Sequence, residues 1–177
     1  PIGTKIQLKN FKENSLQADA IVAKIYTFFG VTTSFENETI CLEKTNQHLS
    51  DFLILNLNDS PDIAQTIAVS CFSLGIACKL TGLHTLKIKE TDRLKALANE
   101  LQKLGASITI DDSSLTLQKS DTIKSDVSVA TYNDHRMAMA FAPLALKTNL
   151  YLENPTVVTK SYPNFWKDLE LIGFKYL

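Results

Sequence analysis

The stretch PDIAQTIAVSCFSLGIACKLTGLHTLKIKETDRL, beginning at residue 61, is echoed from residue 133 by NDHRMAMAFAPLALKTNLYLENPTVVTKSYPNFW. An internal repeat restricts a fold more than any single motif, because each copy must be a supersecondary unit that buries its apolar face on its neighbours. In each copy an aspartate, Asp62 or Asp134, opens an apolar helix. A short strand follows at 77–81 or 149–153, and a lysine, Lys89 or Lys160, then precedes an amphipathic helix. The aspartate-to-lysine spacings are 27 and 26 residues. Upstream, TKIQLKN matches the strand and SLQADAIVAKIYTFFG the amphipathic helix of a third copy that lacks its first helix. The amphipathic helices end at Gly30, Gly105 and Gly173, where glycine can take the left-handed conformation that closes a helix. Paired short strands follow the first two, VTTSF with TICLE and ASITI with LTLQK, joined by Glu36-Asn37 and by Asp111-Asp112-Ser113.

A full unit therefore reads strand, helix, strand, helix, strand, strand, with FLILN at 52–56 opening the second copy. The fold class is α/β (α+β), built from repeated βαβαββ units: a partial unit over 1–47 and units over 48–120 and 121–177. The helices at 62–74 and 134–146 are apolar almost all round and belong inside, whereas Leu94, Leu97, Leu101 and Leu104 form one stripe. Pro143 lies within an apolar helix and should kink it.

The chain has 177 residues, 45% hydrophobic and 21% charged, enough for a stable core. Eighteen basic residues against nineteen acidic leave a formal charge of -1, so no global field gathers nucleic acid or anionic lipid, and any anion site is local. Cys41, Cys71 and Cys78 lie in apolar runs without metal-ligand spacing, which favours reduced thiols and a cytoplasmic setting. IAVSCFSLGIAC is too short to span a bilayer, and no signal pattern opens the chain. Pro1 is not an initiator methionine, so the chain is expected to begin inside a longer product.

Charged residues recur at the helix starts: Lys89 with Arg93, His135 with Arg136, and Lys160. Each cation there opposes the helix dipole at roughly 0.3–1 kcal/mol on the surface, and Lys89 and Arg93 in one helix would repel at i and i+4. Such residues are either solvated and paired to local acids such as Glu90 and Asp92, or converge on a phosphate or carboxylate. Their recurrence at equivalent places in a repeat favours convergence. Asp62 and Glu90 stand at the same level as a base or proton carrier, or as ordinary first-turn acids. His48, His84 and His135 lack ligand spacing, so no metal site is expected. Tyr162, Phe165 and Trp166 read as a core face, on the helical spacing of Phe165 and Leu169.

KETDRL at 89–94, the helix ending KLGA, YNDHRMAMA at 132–140 and TKSYPNFW at 159–166 resemble, in order and spacing, the C-terminal part of the EPSP synthase family, the 3-phosphoshikimate 1-carboxyvinyltransferases. The sister UDP-N-acetylglucosamine enolpyruvyl transferases share the fold but not the KETDR and NDHRMAM pairing. The resemblance implies one domain of a two-domain enolpyruvyl transferase fold, whose N-terminal partner domain is absent from this chain. It implies transfer of the enolpyruvyl group of phosphoenolpyruvate to the 5-hydroxyl of shikimate 3-phosphate, with no metal or organic cofactor, in an enzyme expected to be a cytoplasmic monomer. By the same resemblance Asp62 contacts the shikimate hydroxyls and accepts a proton, with Lys89 beside it. Glu90 serves proton transfer at the phosphoenolpyruvate methylene. Arg93 and Arg136 grip its carboxylate, and Lys160 its phosphate. His135 orients Glu90 or Arg136, and Thr85 stands where some members carry an asparagine that contacts shikimate. A non-catalytic domain that binds an anion or a partner protein is the rival from another class.

Overall fold

The computed structural model describes residues 2–9, 13, 15–36, 38–45 and 49–175. Asn37 of the first turn, His48 and the expected unit boundary at 47–48 lie outside the described residues. The chain divides into two compact units, residues 1–51 and 52–177.

In the first unit, β1 (Lys5–Lys9) and β2 (Val31–Glu36) flank β3 (Thr39–Lys44) in an antiparallel sheet, with Lys5 opposite Glu43 and Val31 opposite Lys44. The amphipathic segment before β2 is helical but irregular. Only α1 (Val22–Ile25) is α-helical, between 3-10 turns at Ala18–Ile21 and Tyr26–Phe29. The run Ile21-Val22, Ile25 to Phe29 is rich in β-branched and aromatic residues of weak helix propensity, and burial of Ile25 and Phe29 is what holds it. Gly30 closes it at φ 68°.

The second unit contains the complete repeat. Strand β4 (Phe52–Asn56) leads through a 3-10 turn at Pro61–Ile63 into α2 (Ala64–Leu74), then β5 (Ala77–Thr81), a 3-10 turn at His84–Ile88 and α3 (Arg93–Lys103). The hairpin β6 (Ile108–Ile110) and β7 (Leu115–Leu117) closes it. The sheet order is β4-β5-β7-β6, with β4 parallel to β5 and the other pairs antiparallel. Asp111 builds the hairpin turn, its Oδ1 accepting the N–H groups of Ser113 and Ser114 at 2.8 Å. The next copy runs β8 (Val127–Val129), α4 (His135–Phe141), β9 (Leu150–Leu152) parallel to β8, and α5 (Phe165–Leu171).

The two classes of helix behave as their patterns dictate. Helix α2 buries Ala64, Gln65, Ile67, Ala68, Val69, Cys71 and Phe72 and packs on α4, which buries Met137, Ala138, Ala140 and Phe141. Helix α3 buries its leucine stripe completely, each leucine contributing roughly 1.5–3 kcal/mol. Phe165 packs with Ala138, Ala142 and Val158, and Trp166 lies partly buried against them, so these two form the expected core face. Tyr162 does not join it but is exposed, because it precedes α5 and its hydroxyl donates to Asp168 Oδ2 at 2.6 Å. At Pro143 the expected kink is a change of helix type: α4 ends at Phe141 and continues as a 3-10 turn over Ala142–Leu146, which spares the hydrogen bond that proline cannot make. Cys41, Cys71 and Cys78 are free thiols, the last two buried.

Two expected helix starts are displaced. Lys89 is extended (φ -89°, ψ -155°), and α3 begins at Arg93 behind an Asp92 cap that accepts the Lys95 N–H at 3.0 Å. Lys89 and Arg93 therefore do not share a helical turn, and their i, i+4 repulsion does not arise. Likewise Lys160 follows a 3-10 turn at Pro155–Val158 and precedes α5 by several residues, because the Ser161-Tyr162-Pro163 segment turns before the helix forms.

Gly82, just after β5, is the glycine whose replacement has the largest structural consequence. At φ +78° it faces the turn in which Asn58 N–H donates to Asn56 Oδ1, and a Cβ there would stand 2.5 Å from Asn58 N and 2.6 Å from Asn56 Oδ1. Gly82→Ala is expected to cost at least about 1–2 kcal/mol from the left-handed backbone alone, plus the clash with main chain. Gly173→Ala carries a positive φ too but meets open space, so urea unfolding of the two variants separates the clash at Gly82 from the backbone cost they share.

Candidate active site

The centre of the site is Arg93, the first residue of α3, which is only 2% exposed. Its Nε donates to Asp134 Oδ2 at 2.6 Å, Nη1 to Asp62 Oδ1 at 2.9 Å, and Nη2 to Glu90 Oε2 at 2.6 Å. Three segments meet at this guanidinium: the 3-10 turn before α2, the extended segment before α3, and the cap of α4. Its planar fork of donors suits three carboxylates in a way an ammonium could not match. Asp134, with no exposed surface, also accepts the Arg136 N–H at 2.9 Å and so caps α4. Asp62 occupies the equivalent place in its own copy, yet its carboxylate is spent on cations. Lys89 Nζ lies 3.2 Å from its Oδ1, and Arg136 Nη2 3.7 Å from its Oδ2. The Arg136 Nη1 also donates to the Asp62 backbone carbonyl at 3.0 Å.

Asp62, Lys89, Glu90, Arg93 and Arg136 are thus brought together by direct contact. Lys160 is exposed, and its charge acts on Glu90. The Glu90 carboxyl is held below the usual carboxylate range, first by its own backbone N–H and then, against the opposing effect of burial, by the charges of Arg93, of His135 when it is protonated, and of Lys160. His135 begins α4 with Nδ1 buried 3.7 Å from Asp134 Oδ1, and burial lowers its pKa, so it is neutral at pH 7. Thr85 stands apart from these contacts: its Oγ1 is buried without a hydrogen-bond partner among the described residues.

The charge to which the helix-start cations respond is therefore partly internal. Of the local acids, Glu90 pairs with Arg93 while Asp92 serves as a cap. Four cations, Lys89, Arg93, Arg136 and Lys160, stand with three carboxylates, Asp62, Glu90 and Asp134, while the charge of Asp92 is turned to the N–H groups at the start of α3. Among the described residues no three His, Cys, Asp or Glu side chains are grouped to hold a metal ion. Asp134 is a site residue that the charged motifs alone do not pick out. The signal was nevertheless present, in its equivalence to Asp62 across the repeat. Among the described residues no helix is long and apolar enough to cross a membrane.

The sequence profile of the EPSP synthase (3-phosphoshikimate 1-carboxyvinyltransferase) family matches residues 2–169. A 3-phosphoshikimate 1-carboxyvinyltransferase of Bacteroides fragilis is 38% identical over 172 residues, covering 96% of this chain and 42% of that protein. One from Clostridium novyi is 32% identical, covering 97% and 39%. Among solved structures, an EPSP synthase from Acinetobacter baumannii superposes with a TM-score of 0.76 at 18% identity, over 96% of this chain and 42% of that one. The enolpyruvyl transferase NikO from Streptomyces tendae superposes with a TM-score of 0.67 at 14% identity, over 97% and 39%. The fold is that of the enolpyruvyl transferases, and the chain spans about two fifths of the length of the relatives it matches.

Proposed function

The chain belongs to the EPSP synthase family, and from that premise we propose that it supplies one side of a site that transfers the enolpyruvyl group of phosphoenolpyruvate to the 5-hydroxyl of shikimate 3-phosphate, releasing phosphate. In this reading the chain is one domain of a cytoplasmic, monomeric two-domain enzyme, and the N-terminal domain that would face the site belongs to the remainder of the protein. The observation that carries the reading is the Arg93 guanidinium, held by Asp62, Glu90 and Asp134 beside Lys89 and Arg136.

Phosphoenolpyruvate is small and densely anionic. Lys89, Arg136 and Lys160 are the cations to receive it, Lys160 at the phosphate and Arg136 at the carboxylate. Arg93 is fixed by Asp134 through Nε, so the Nη edge is what it offers, and the substrate carboxylate exchanges there with Glu90 and Asp62. Glu90, released from Arg93 and shielded from the other cations by a bound polyanion, is no longer held as firmly in its ionised form. It can then carry a proton to the methylene carbon. Protonation makes C2 cationic, and the carboxylates nearby stabilise that charge. Asp62 takes the proton of the attacking hydroxyl as it bonds to C2. The tetrahedral adduct then loses phosphate from C2 while its methyl group returns a proton to Glu90, which restores the C=C bond, with His135 and Asp134 holding Arg136 and Arg93 in place.

Because the site is shared, this chain alone is expected to release no phosphate, whereas the chain mixed with the complementary part of the enzyme does so in the presence of both substrates. The assay compares this chain, the complementary part and the mixture. Full activity from this chain alone would refute the shared site. A folded mixture without phosphate release would favour a non-catalytic anion-binding domain.

A further inference from the structure

The same helix that supplies Arg93 carries a second buried charge, which the chemistry above leaves unused. Glu100 on α3 has no exposed surface. Its Oε1 accepts from the Tyr132 hydroxyl at 2.7 Å, and its Oε2 from the Ala130 N–H at 3.1 Å and from Lys103 Nζ at 2.7 Å. Two of these donors belong to the segment that joins β8 to α4. That segment is strained: Tyr132 and Asn133 are consecutive non-glycine residues at φ 52° and 56°, a region from which side chains are usually excluded. The following residue is Asp134, whose N–H donates to Thr131 O at 2.9 Å, and Asn133 Oδ1 accepts from Asn154 Nδ2 at 3.1 Å. The turn is therefore tied to α3 at two places, by its backbone and phenol at Glu100 and by the Asp134 carboxylate at Arg93, seven residues earlier on the same helix.

We propose that Glu100 is a positioning residue for this site: by holding the left-handed turn at Ala130 and Tyr132 it sets where Asp134 and Arg136 stand against Arg93 and Asp62. A carboxylate suits the site because its negative charge strengthens the bonds from the Ala130 N–H, the Lys103 ammonium and the Tyr132 hydroxyl. A glutamine forfeits that charge and must reverse the Tyr132 bond to keep its oxygen on the other two donors. Freed at that end, the turn relaxes toward ordinary backbone angles, and Asp134 moves relative to the Arg93 Nε. The role in catalysis rests on the enolpyruvyl transfer reading, whereas the role in geometry does not.

The geometric test uses this chain labelled with 15N. The Arg93 Nε–H signal, identified by its loss in Arg93→Lys, reports the bond to Asp134. Tyr132→Phe, which removes one hydroxyl, and Glu100→Gln are expected to shift or broaden it. Leu101→Ala, a packing loss on the same helix, is expected to lower the melting temperature and leave it in place. An unmoved signal in Tyr132→Phe, which is decisive if Glu100→Gln fails to fold, would overturn the proposal, as would an equal shift in Leu101→Ala. In the complete enzyme, Glu100→Gln is expected to lower kcat/KM by about a hundredfold, the scale of a misplacement near 1 Å. Unchanged kcat/KM alongside a displaced Arg93 signal would overturn the catalytic half of the proposal. A displaced signal in a complete protein that lacks activity altogether would support the positioning role and count against the transferase reading.

Discussion

Arg93→Met is expected to destabilise the second unit by about 3–5 kcal/mol, the cost of removing one partner from a buried ion pair. The magnitude follows from Asp134, which has no exposed surface and receives the Arg93 Nε at 2.6 Å. Without the guanidinium its charge is left facing protein interior, with the Arg136 N–H as its remaining close donor. Urea unfolding should show a lower midpoint with an unchanged slope. Arg93→Met combined with Asp134→Asn should recover part of the loss, because the uncompensated charge is then gone. Additive losses in the double variant would mean that the two side chains contribute separately. Arg93→Lys keeps the charge but cannot reach three carboxylates at once, so it too is expected to unfold earlier. From sequence alone, Arg93→Lys and Arg136→Lys are both expected to weaken phosphoenolpyruvate binding with little effect on stability. Burial overturns the stability half of that expectation for Arg93, whereas the Arg136 side chain is 29% exposed and the expectation stands.

Asp62→Asn is expected to produce the largest loss of activity, about 10²–10⁴-fold in kcat, the range for removing a positioned general base. Asparagine preserves the shape and keeps one oxygen for Arg93 Nη1, but it cannot take a proton from the attacking hydroxyl. It also gives up the charge that Lys89 and Arg136 now share. Stability should change far less than in Arg93→Met, since the Asp62 carboxylate is 26% exposed and its pair with Lys89 is open to water. Steady-state kinetics of the complete enzyme separate the effects: a fall in kcat at near-constant KM identifies a group needed in the transition state, whereas a rise in KM alone assigns Asp62 to binding only.

These two residues also mark the boundary between what could be read along the chain and what could not. The βαβαββ order, the separation into buried and stripe-bearing helices, and the closures at Gly30, Gly105 and Gly173 were legible because they are local. Burial on a helix repeats every three to four residues, and a left-handed closure needs glycine at that place. All three of those glycines have positive φ. The gathering of Asp62, Lys89, Glu90, Arg93 and Arg136 was legible at one remove, since equivalent positions in repeats face equivalent surroundings. The tertiary structure alone decided which acid meets which cation. Arg93 and Asp134 are 41 residues apart, and their bond exists because α2 and α4 pack beside the start of α3. Glu100 likewise looks like a polar residue beside a leucine stripe until the turn at Ala130 and Tyr132 arrives over it. A charged side chain carries no periodic signal that names its partner. The choice is made by desolvation, which depends on what the rest of the chain has already covered.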